Sequence, residues 1–240
     1  MQRTVYLNGR RVDYELTIKN VKNINLRIRP DGSVWVSANK RVPIPVIEDF
    51  MISRCGLILS ALDRFAVQGS EPKKTLNYAD GETVTIFGKE FKLNLSEGKK
   101  NAVCLLEDDG CIAMSVRDTS DSELCKRIFE KWQKELCRAT VTELCRRTYE
   151  ACPIFAQKGI EFPTLHFKAM RTRWGSCNSS GGSLNFNYAL VCAPIECIEY
   201  VVMHEFVHFL HPNHSRSFYD ALSDFMPDWK ERKQRLNARQ

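Results

Sequence analysis

Four of the five histidines of this chain lie within eleven residues, and two of them belong to an H-E-x-x-H motif. The motif is His204-Glu205-Phe206-Val207-His208, and a run of apolar residues precedes it. Histidines four positions apart lie on one face of a helix, so both imidazoles can bind one Zn²⁺ at about 2.0–2.1 Å. Glu205 lies about 100° further round the helix, beside the open position of such an ion. We therefore expect His204 and His208 to bind a metal, and Glu205 to act as the general base on a metal-bound water.

A catalytic zinc site usually has three protein ligands, and two further histidines compete to be the third. His211 follows His204 by seven residues, about 10.5 Å along a regular helix, which is too far for three ligands to converge. Pro212 should end the helix, so that the chain can turn back and bring His214 to the metal. His214 follows His208 by six residues, the spacing of the extended H-E-x-x-H-x-x-G-x-x-H pattern. We predict that His214 completes the site, and that His211 either supports a ligand or faces outward.

Other polar residues near the motif are weaker candidates. Asp220 and Asp224 are downstream carboxylates of the kind that some enzymes recruit as metal ligands. Arg173 could stabilise an oxyanion or a substrate carboxylate, although pairing with a structural carboxylate is an equal alternative. Asn185 and Asn187 lie on a predicted strand before the metal helix, where either could donate a hydrogen bond to an imidazole.

The elements that must position these residues divide into a strand-rich half and a helix-led half. Period-two patterns and an Asn8-Gly9 turn signal predict hairpins in the first half, together with one amphipathic helix near residues 45–65. Plausible N-cap residues at 119–122 precede a long helix up to residue 152. Strands at 164–170 and 183–188 and the metal helix from 194 to 212 follow. The pattern predicts an α+β protein, with a strand-rich region at 1–120 and a metallohydrolase core at 121–240.

Length and composition limit the classes of protein that need considering. The chain has 240 residues, of which 43% are hydrophobic and 27% charged, as in ordinary globular proteins. Its 35 Lys and Arg and 29 Asp and Glu leave a modest net charge of +6. No stretch approaches the roughly 20 apolar residues of a membrane-spanning helix, and the charged N-terminus has no apolar signal core. We therefore expect a cytoplasmic protein without a membrane-spanning segment.

The ten cysteines contain no C-x-x-C pair, so their spacing does not predict a metal site. A chain without an export signal is expected to keep its thiols reduced. Several cysteines occupy apolar positions of predicted helices, where a thiol packs as a small hydrophobic group. The histidines, and not the cysteines, are thus the candidates for metal binding.

Several segments of the second half resemble the YgjP-like metallopeptidases, a zincin family also described as WLM or SprT-related. The residues that carry the resemblance are Arg173-Trp174-Gly175-Ser176-Cys177, Ser183-Leu184-Asn185, Leu190 through Pro194, His204-Glu205-Phe206-Val207-His208, Pro212-Asn213-His214-Ser215 and Phe218. A looser likeness extends to the first half, in Asn25-Leu26-Arg27-Ile28 and Val34-Trp35-Val36. Family members usually have a small or aliphatic residue at the position of Phe206, so this metal helix is slightly bulkier.

The resemblance implies a zincin-like catalytic core, in which a long backing helix and a small mixed sheet support the H-E-x-x-H metal helix. It also implies one Zn²⁺ held by His204, His208 and His214, with Glu205 as the base. The expected function is that of a zinc metallopeptidase that acts on peptides or proteins. If the strand at 183–188 is an exposed sheet edge, an extended peptide could pair with it.

Two other functions stay open at this point. The first is hydrolysis of nucleotide phosphoanhydrides, for which Lys168, Arg171 and Arg173 could bind phosphates. The second is a nucleic-acid-associated role with a structural metal, suggested by the basic segment 230–235 and the SprT-related likeness. Acidic residues interrupt that segment, so a solvated helix face is its commoner explanation.

Overall fold

The computed structural model describes residues 1–29, 31–68 and 76–238, which belong to two compact units, Met1–Thr75 and Leu76–Gln240. In these ranges the chain forms seven α-helices and three small sheets, each of which mixes parallel and antiparallel pairs. The predicted α+β composition is therefore confirmed. The division at 75 and 76 differs from the boundary predicted near residue 120. The reason is that the strands before residue 120 share one apolar core with the helices after it.

The first unit is a four-stranded sheet with two helices. Its elements are β1 (Gln2–Leu7), β2 (Arg10–Ile18), β3 (Asn25–Ile28), β4 (Val34–Ala38), α1 (Ile44–Ile52) and α2 (Cys55–Gln68), with strand order β1-β2-β4-β3. Asn8 and Gly9 join β1 to β2 with φ angles of 48° and 79°, as the predicted hairpin turn requires. Pro30, between β3 and β4, lies outside the described residues.

Two helices occupy the region in which the sequence pattern predicted one. Ser53 ends α1, and its hydroxyl donates a hydrogen bond to the carbonyl of Phe50 at 2.8 Å. The amide of Arg54 bonds to the carbonyl of Met51, so the chain tightens to an i to i+3 turn before α2 begins. Apolar residues keep their helical spacing through this turn, so the sequence pattern did not show that the helix is interrupted between α1 and α2.

The second unit begins with another four-stranded sheet, followed by a long helix. The elements are β5 (Thr83–Ile86), β6 (Lys89–Glu97), β7 (Ala102–Leu106), β8 (Cys111–Val116) and α3 (Ser122–Ala151), with strand order β5-β6-β8-β7. This order repeats the topology of the first sheet. The carboxylate of Asp121 caps α3 by accepting a hydrogen bond from the amide of Leu124 at 2.9 Å. Phe129 and Cys137 are fully buried on the inner face of α3, where the cysteine packs as a hydrophobic residue.

A three-stranded sheet and four helices complete the second unit. They are α4 (Ile154–Gln157), β9 (Thr164–Lys168), β10 (Gly175–Asn178), β11 (Ser183–Asn187), α5 (Ile195–Leu210), α6 (Arg216–Phe225) and α7 (Trp229–Asn237), with a short 3₁₀ helix over Tyr188–Cys192. The strand order is β10-β11-β9, so β11 lies in the middle of the sheet. The condition set for peptide pairing with the strand at 183–188, that it is an exposed sheet edge, is therefore not met. The segment between the two predicted strands, residues 171–182, contains β10, which takes the edge position.

Helix α5 lies at the centre of the second unit. Its buried residues include Ile198, Val202, Phe206 and Val207, which contact the core on several sides. Phe206 packs against Phe155 of α4 with ring centroids 5.2 Å apart, so its large side chain belongs to the core. None of the helices that the structure describes is both long and apolar enough to cross a membrane.

Candidate metal centre

Helix α5 carries the H-E-x-x-H motif in its last two turns. His204 and His208 lie on the same face, and their ring centroids are 5.0 Å apart. The helix ends at Leu210, and His211 leaves the helical conformation with a φ of −136°. The end of the helix before Pro212 agrees with the sequence prediction.

The segment between α5 and α6 returns His214 to the two helix histidines. The Nε2 atoms of His214 and His204 are 3.0 Å apart, and the His214 and His208 ring centroids are 4.6 Å apart. One ligand atom from each of the three residues lies within 4.8 Å of the others. In the described part of the chain this is the one cluster of metal-binding side chains found.

Two further contacts fix the orientation of the imidazoles. Nδ1 of His208 is 3.2 Å from the backbone carbonyl of His211, so its N–H can donate there and leave Nε2 as the acceptor nitrogen. His211 thus contributes its backbone to the site. Phe218 of α6 is fully buried, and its ring centroid lies 4.7–5.0 Å from those of all three histidines. The Phe218 ring therefore packs against all three imidazoles.

The charge states of the two helix histidines, His204 and His208, also suit metal binding. Burial, together with the neighbouring histidines and Lys233, lowers the pKa of His204 to about 3. Burial also lowers the pKa of His208. Both shifts favour the neutral imidazole, which is the form that binds a metal. Nδ1 of His204 is buried and has no hydrogen-bond partner among the described residues.

Glu205 is buried beside the histidines, with only 5% of its surface exposed. Burial raises the pKa of its carboxyl to about 8, while the Arg173 guanidinium and a hydrogen bond from the Cys177 amide act against that rise. Gly175 in β10 leaves the space for this carboxyl group. A Cβ at position 175 would lie 2.7 Å from Oε1 and 2.9 Å from Cγ of Glu205. Residues of the Arg-Trp-Gly-Ser-Cys segment therefore lie around the Glu205 carboxyl group and affect its pKa.

A cavity of about 600 Å³ opens next to the three histidines and Glu205. Residues 173–177 and Ser179 line one side, and Tyr200 and Val201 of α5 line another. Helix α7 contributes Lys233, Leu236 and Asn237. Sequence reasoning missed these three residues, because it treated the basic segment of α7 as a solvated face or a contact for nucleic acid.

Helix α7 reaches the cavity because ion pairs and aromatic stacking hold it against α5. Arg232 pairs with Glu199 of α5 at 2.6 Å and with Asp228 at 2.8 Å. Trp229 stacks on Tyr219 with ring centroids 5.3 Å apart, and on Tyr200 at 6.5 Å. The cationic segment is therefore partly neutralised by partners within the same unit.

The structure separates the weaker candidates from the histidine cluster, except for Arg173, which lines the cavity. Asn187 is buried and donates hydrogen bonds to the carbonyls of Met170 and Arg173, at 2.8 and 2.9 Å. Within the ranges described, neither Asn187 nor Asn185 makes a hydrogen bond to an imidazole. Asn187 instead fixes the loop before β10. The exposed carboxylates of Asp220 and Asp224 do not belong to the cluster of metal-binding side chains.

The residues present fit a divalent metal. Three imidazoles converge, their donor atoms are a few ångströms apart, and a buried carboxyl group lies next to them. A comparison with protein families gives a match to the YgjP-like metallopeptidase domain over residues 22–239. No curated protein sequence matches the chain. Since the family match spans most of the chain and includes the three histidines, the chain belongs to the YgjP-like family of metallopeptidase domains.

Proposed function

We propose that the chain is a zinc-dependent peptidase with a zincin-like core. In this proposal His204, His208 and His214 hold one ion, and Glu205 is the general base. The observation that carries the proposal is the approach of three imidazole donor atoms to within 4.8 Å of one another, next to a buried carboxyl group. Membership of a metallopeptidase family supports the same reaction class.

Zinc suits this donor set better than Mn²⁺, Co²⁺ or Ni²⁺ do. Imidazole nitrogen is a common ligand of Zn²⁺, and three protein ligands leave a position open for water or substrate. A bound Zn²⁺ supplies Lewis acidity, which lowers the pKa of water to about 7 and polarises a carbonyl group. The open side of the three histidines faces the cavity, where a substrate can enter.

Glu205 performs the proton transfers in this proposal. Its carboxylate accepts the proton of the attacking water and then delivers it to the leaving amine. The Cys177 amide and the close approach of Gly175 hold the carboxylate in one position, so it needs little reorganisation. Arg173 favours the ionised form of Glu205, which is the form that can accept a proton.

We also propose that an extended peptide binds along β10. Because β11 is the middle strand, only β10 and β9 have edges available for a further strand. Gly175, Ser176 and Cys177 of β10 line the cavity, whereas no residue of β9 does so. Pairing with β10 would bring the substrate backbone next to Glu205 and the histidines.

The test compares the wild type with Glu205→Gln, His214→Ala and His211→Ala. Glu205→Gln should keep one zinc per chain by elemental analysis but lose peptide hydrolysis by 100-fold or more, on the order of a general base's contribution. His214→Ala should lose metal, while His211→Ala should keep it because the backbone carbonyl is retained. Unchanged hydrolysis by Glu205→Gln, or metal loss only in His211→Ala, would contradict the assignment.

Two other candidate functions are distinguished by separate measurements. Of the three cations proposed for nucleotide phosphates, only Arg173 lines the cavity; Lys168 and Arg171 do not. A hydrolysis assay with nucleoside triphosphates tests this alternative directly.

For the nucleic-acid alternative, the excess of positive charge lies in the first unit. The first 75 residues hold 13 Lys and Arg against 7 Asp and Glu, while residues 76–240 hold 22 of each. Salt-dependent binding that requires the first unit would support that role.

A further inference from the structure

We infer that the cavity contains a subsite for a substrate carboxylate, formed by Lys233 of α7 and Arg173 of the loop before β10. The inference rests on the proposed peptidase function, since it names the kind of peptide that the site takes. Both side chains line the same cavity as the three histidines and Glu205. The two cations come from segments 60 residues apart in the chain, so the fold alone brings them to one site.

Lys233 is held at the cavity wall by its neighbours on α7. Arg232 takes the ion pairs with Glu199 and Asp228 and also donates to the carbonyl of Glu196 at 3.1 Å. Leu236, one turn further along, is buried with 2% exposure. With α7 fixed on both sides, the half-buried Lys233 lines the cavity.

Neither cation forms an ion pair with another described residue. Among the described residues, no carboxylate oxygen lies within 4.0 Å of a charged nitrogen of Lys233 or Arg173, the limit for an ion pair. Glu205 is the one carboxylate along the cavity wall, and it is buried behind β10. The cavity therefore offers positive charge beside the reaction centre, with no exposed negative charge to balance it.

The rest of the lining favours a peptide carboxylate as the occupant. Trp174, Tyr200, Val201 and Leu236 give the cavity apolar walls that suit amino-acid side chains. A polyphosphate usually binds a glycine-rich loop at a helix N-terminus, and the cavity lining contains no such loop. The carboxylate has two possible sources, the C-terminus of the substrate and an Asp or Glu side chain near the scissile bond.

The experiment measures binding, so that it does not depend on turnover. Glu205→Gln protein loaded with zinc is incubated with two N-acetylated hexapeptide libraries, one with free C-terminal carboxylates and one amidated. Bound peptides are identified by mass spectrometry. The same selection is repeated with Lys233→Glu, Lys233→Met and Arg173→Gln added to this protein. Lys230→Glu is the matched control, since Lys230 and Lys233 both lie 5.7 Å from the Trp229 ring but only Lys233 lines the cavity.

We expect peptides with a carboxylate to be enriched about tenfold over neutral ones, as for one charge-assisted hydrogen bond. Enrichment only in the free-terminus library identifies the C-terminus as the source, and enrichment of Asp and Glu in both libraries identifies the side chain. Lys233→Glu and Lys233→Met should remove the enrichment, and Lys230→Glu should retain it. Thermal melting of each variant checks that the fold is kept.

Three results would overturn the inference, and they separate it from the proposed function. Peptides that bind without a carboxylate preference, or a preference that survives Lys233→Glu, would refute the subsite but leave the peptidase proposal standing. If neither library binds, nothing is hydrolysed by the wild type and uridine triphosphate binds instead, both the subsite and the peptidase proposal fail.

Discussion

The close approach of Gly175 to Glu205 makes Gly175→Ala the most informative single substitution. Gly175 has no positive φ, so an alanine there meets no backbone strain. The new methyl group would lie 2.9 and 3.0 Å from Cγ and Cδ of Glu205, whereas ordinary contacts begin near 3.4 Å. The buried acid must therefore move by roughly 0.5 Å, a case of overpacking that typically costs about 1–3 kcal/mol. For a protein of this size, that lowers Tm by about 3–10 °C.

The same displacement should reduce activity while the metal is retained. A catalytic group moved by a fraction of an ångström to 1 Å loses about 10- to 100-fold in rate. The three histidines keep their side chains, so elemental analysis should still find one metal ion per chain. We would measure kcat and KM for peptide hydrolysis, metal content and urea denaturation on the same preparations.

A double-mutant cycle separates the effect on Glu205 from any effect on β10. In a Glu205→Ala background the atoms that clash are absent, so Gly175→Ala should then cost less than about 0.5 kcal/mol. An equal loss of stability in both backgrounds would refute the reasoning, because the cost would then arise within the strand.

Three further predictions concern the support of the site. Asn187→Ala removes the donors to two carbonyl groups of the loop before β10, so we expect a loss of about 2–4 kcal/mol in urea denaturation, whereas Asn185→Ala should cost less than about 1 kcal/mol. Iodoacetamide at pH 8 should label exposed Cys104 well before Cys145, whose pKa is raised by burial, and peptide mapping that finds equal rates would contradict the packing described. Arg232→Ala should destabilise α7 by about 2 kcal/mol and accelerate tryptic cleavage within it, and an unchanged cleavage pattern would argue against its role as an anchor.

The clustering of His204, His208 and His214 could be predicted from sequence because their positions depend on local geometry. Two histidines four residues apart on a helix must share a face, and Pro212 must stop that helix. These constraints act over a few residues, so the return of His214 could be inferred from spacing. The approach of the three side chains needed no knowledge of the rest of the fold.

The residues that were missed depend on contacts between distant segments. Lys233 reaches the cavity because Arg232 pairs with α5, and no periodicity in the sequence reports such a pairing. The order of β10 and β11 depends on which partner each strand selects, a choice that period-two patterns leave open. The boundary predicted near residue 120 followed a change from strands to helices, whereas the apolar core joins Phe91 and Ile112 before it to Phe129 after it.

The position of α7 also matters for how the protein is purified. Leu236 and Asn237 line the cavity, so a tag added after Gln240 would begin four positions after a residue of the cavity wall. A polyhistidine tag placed there offers competing imidazoles for the same ion, and it could add metal to the chain without occupying the site. Metal stoichiometry is therefore best measured on protein whose affinity tag has been removed or attached at the other end.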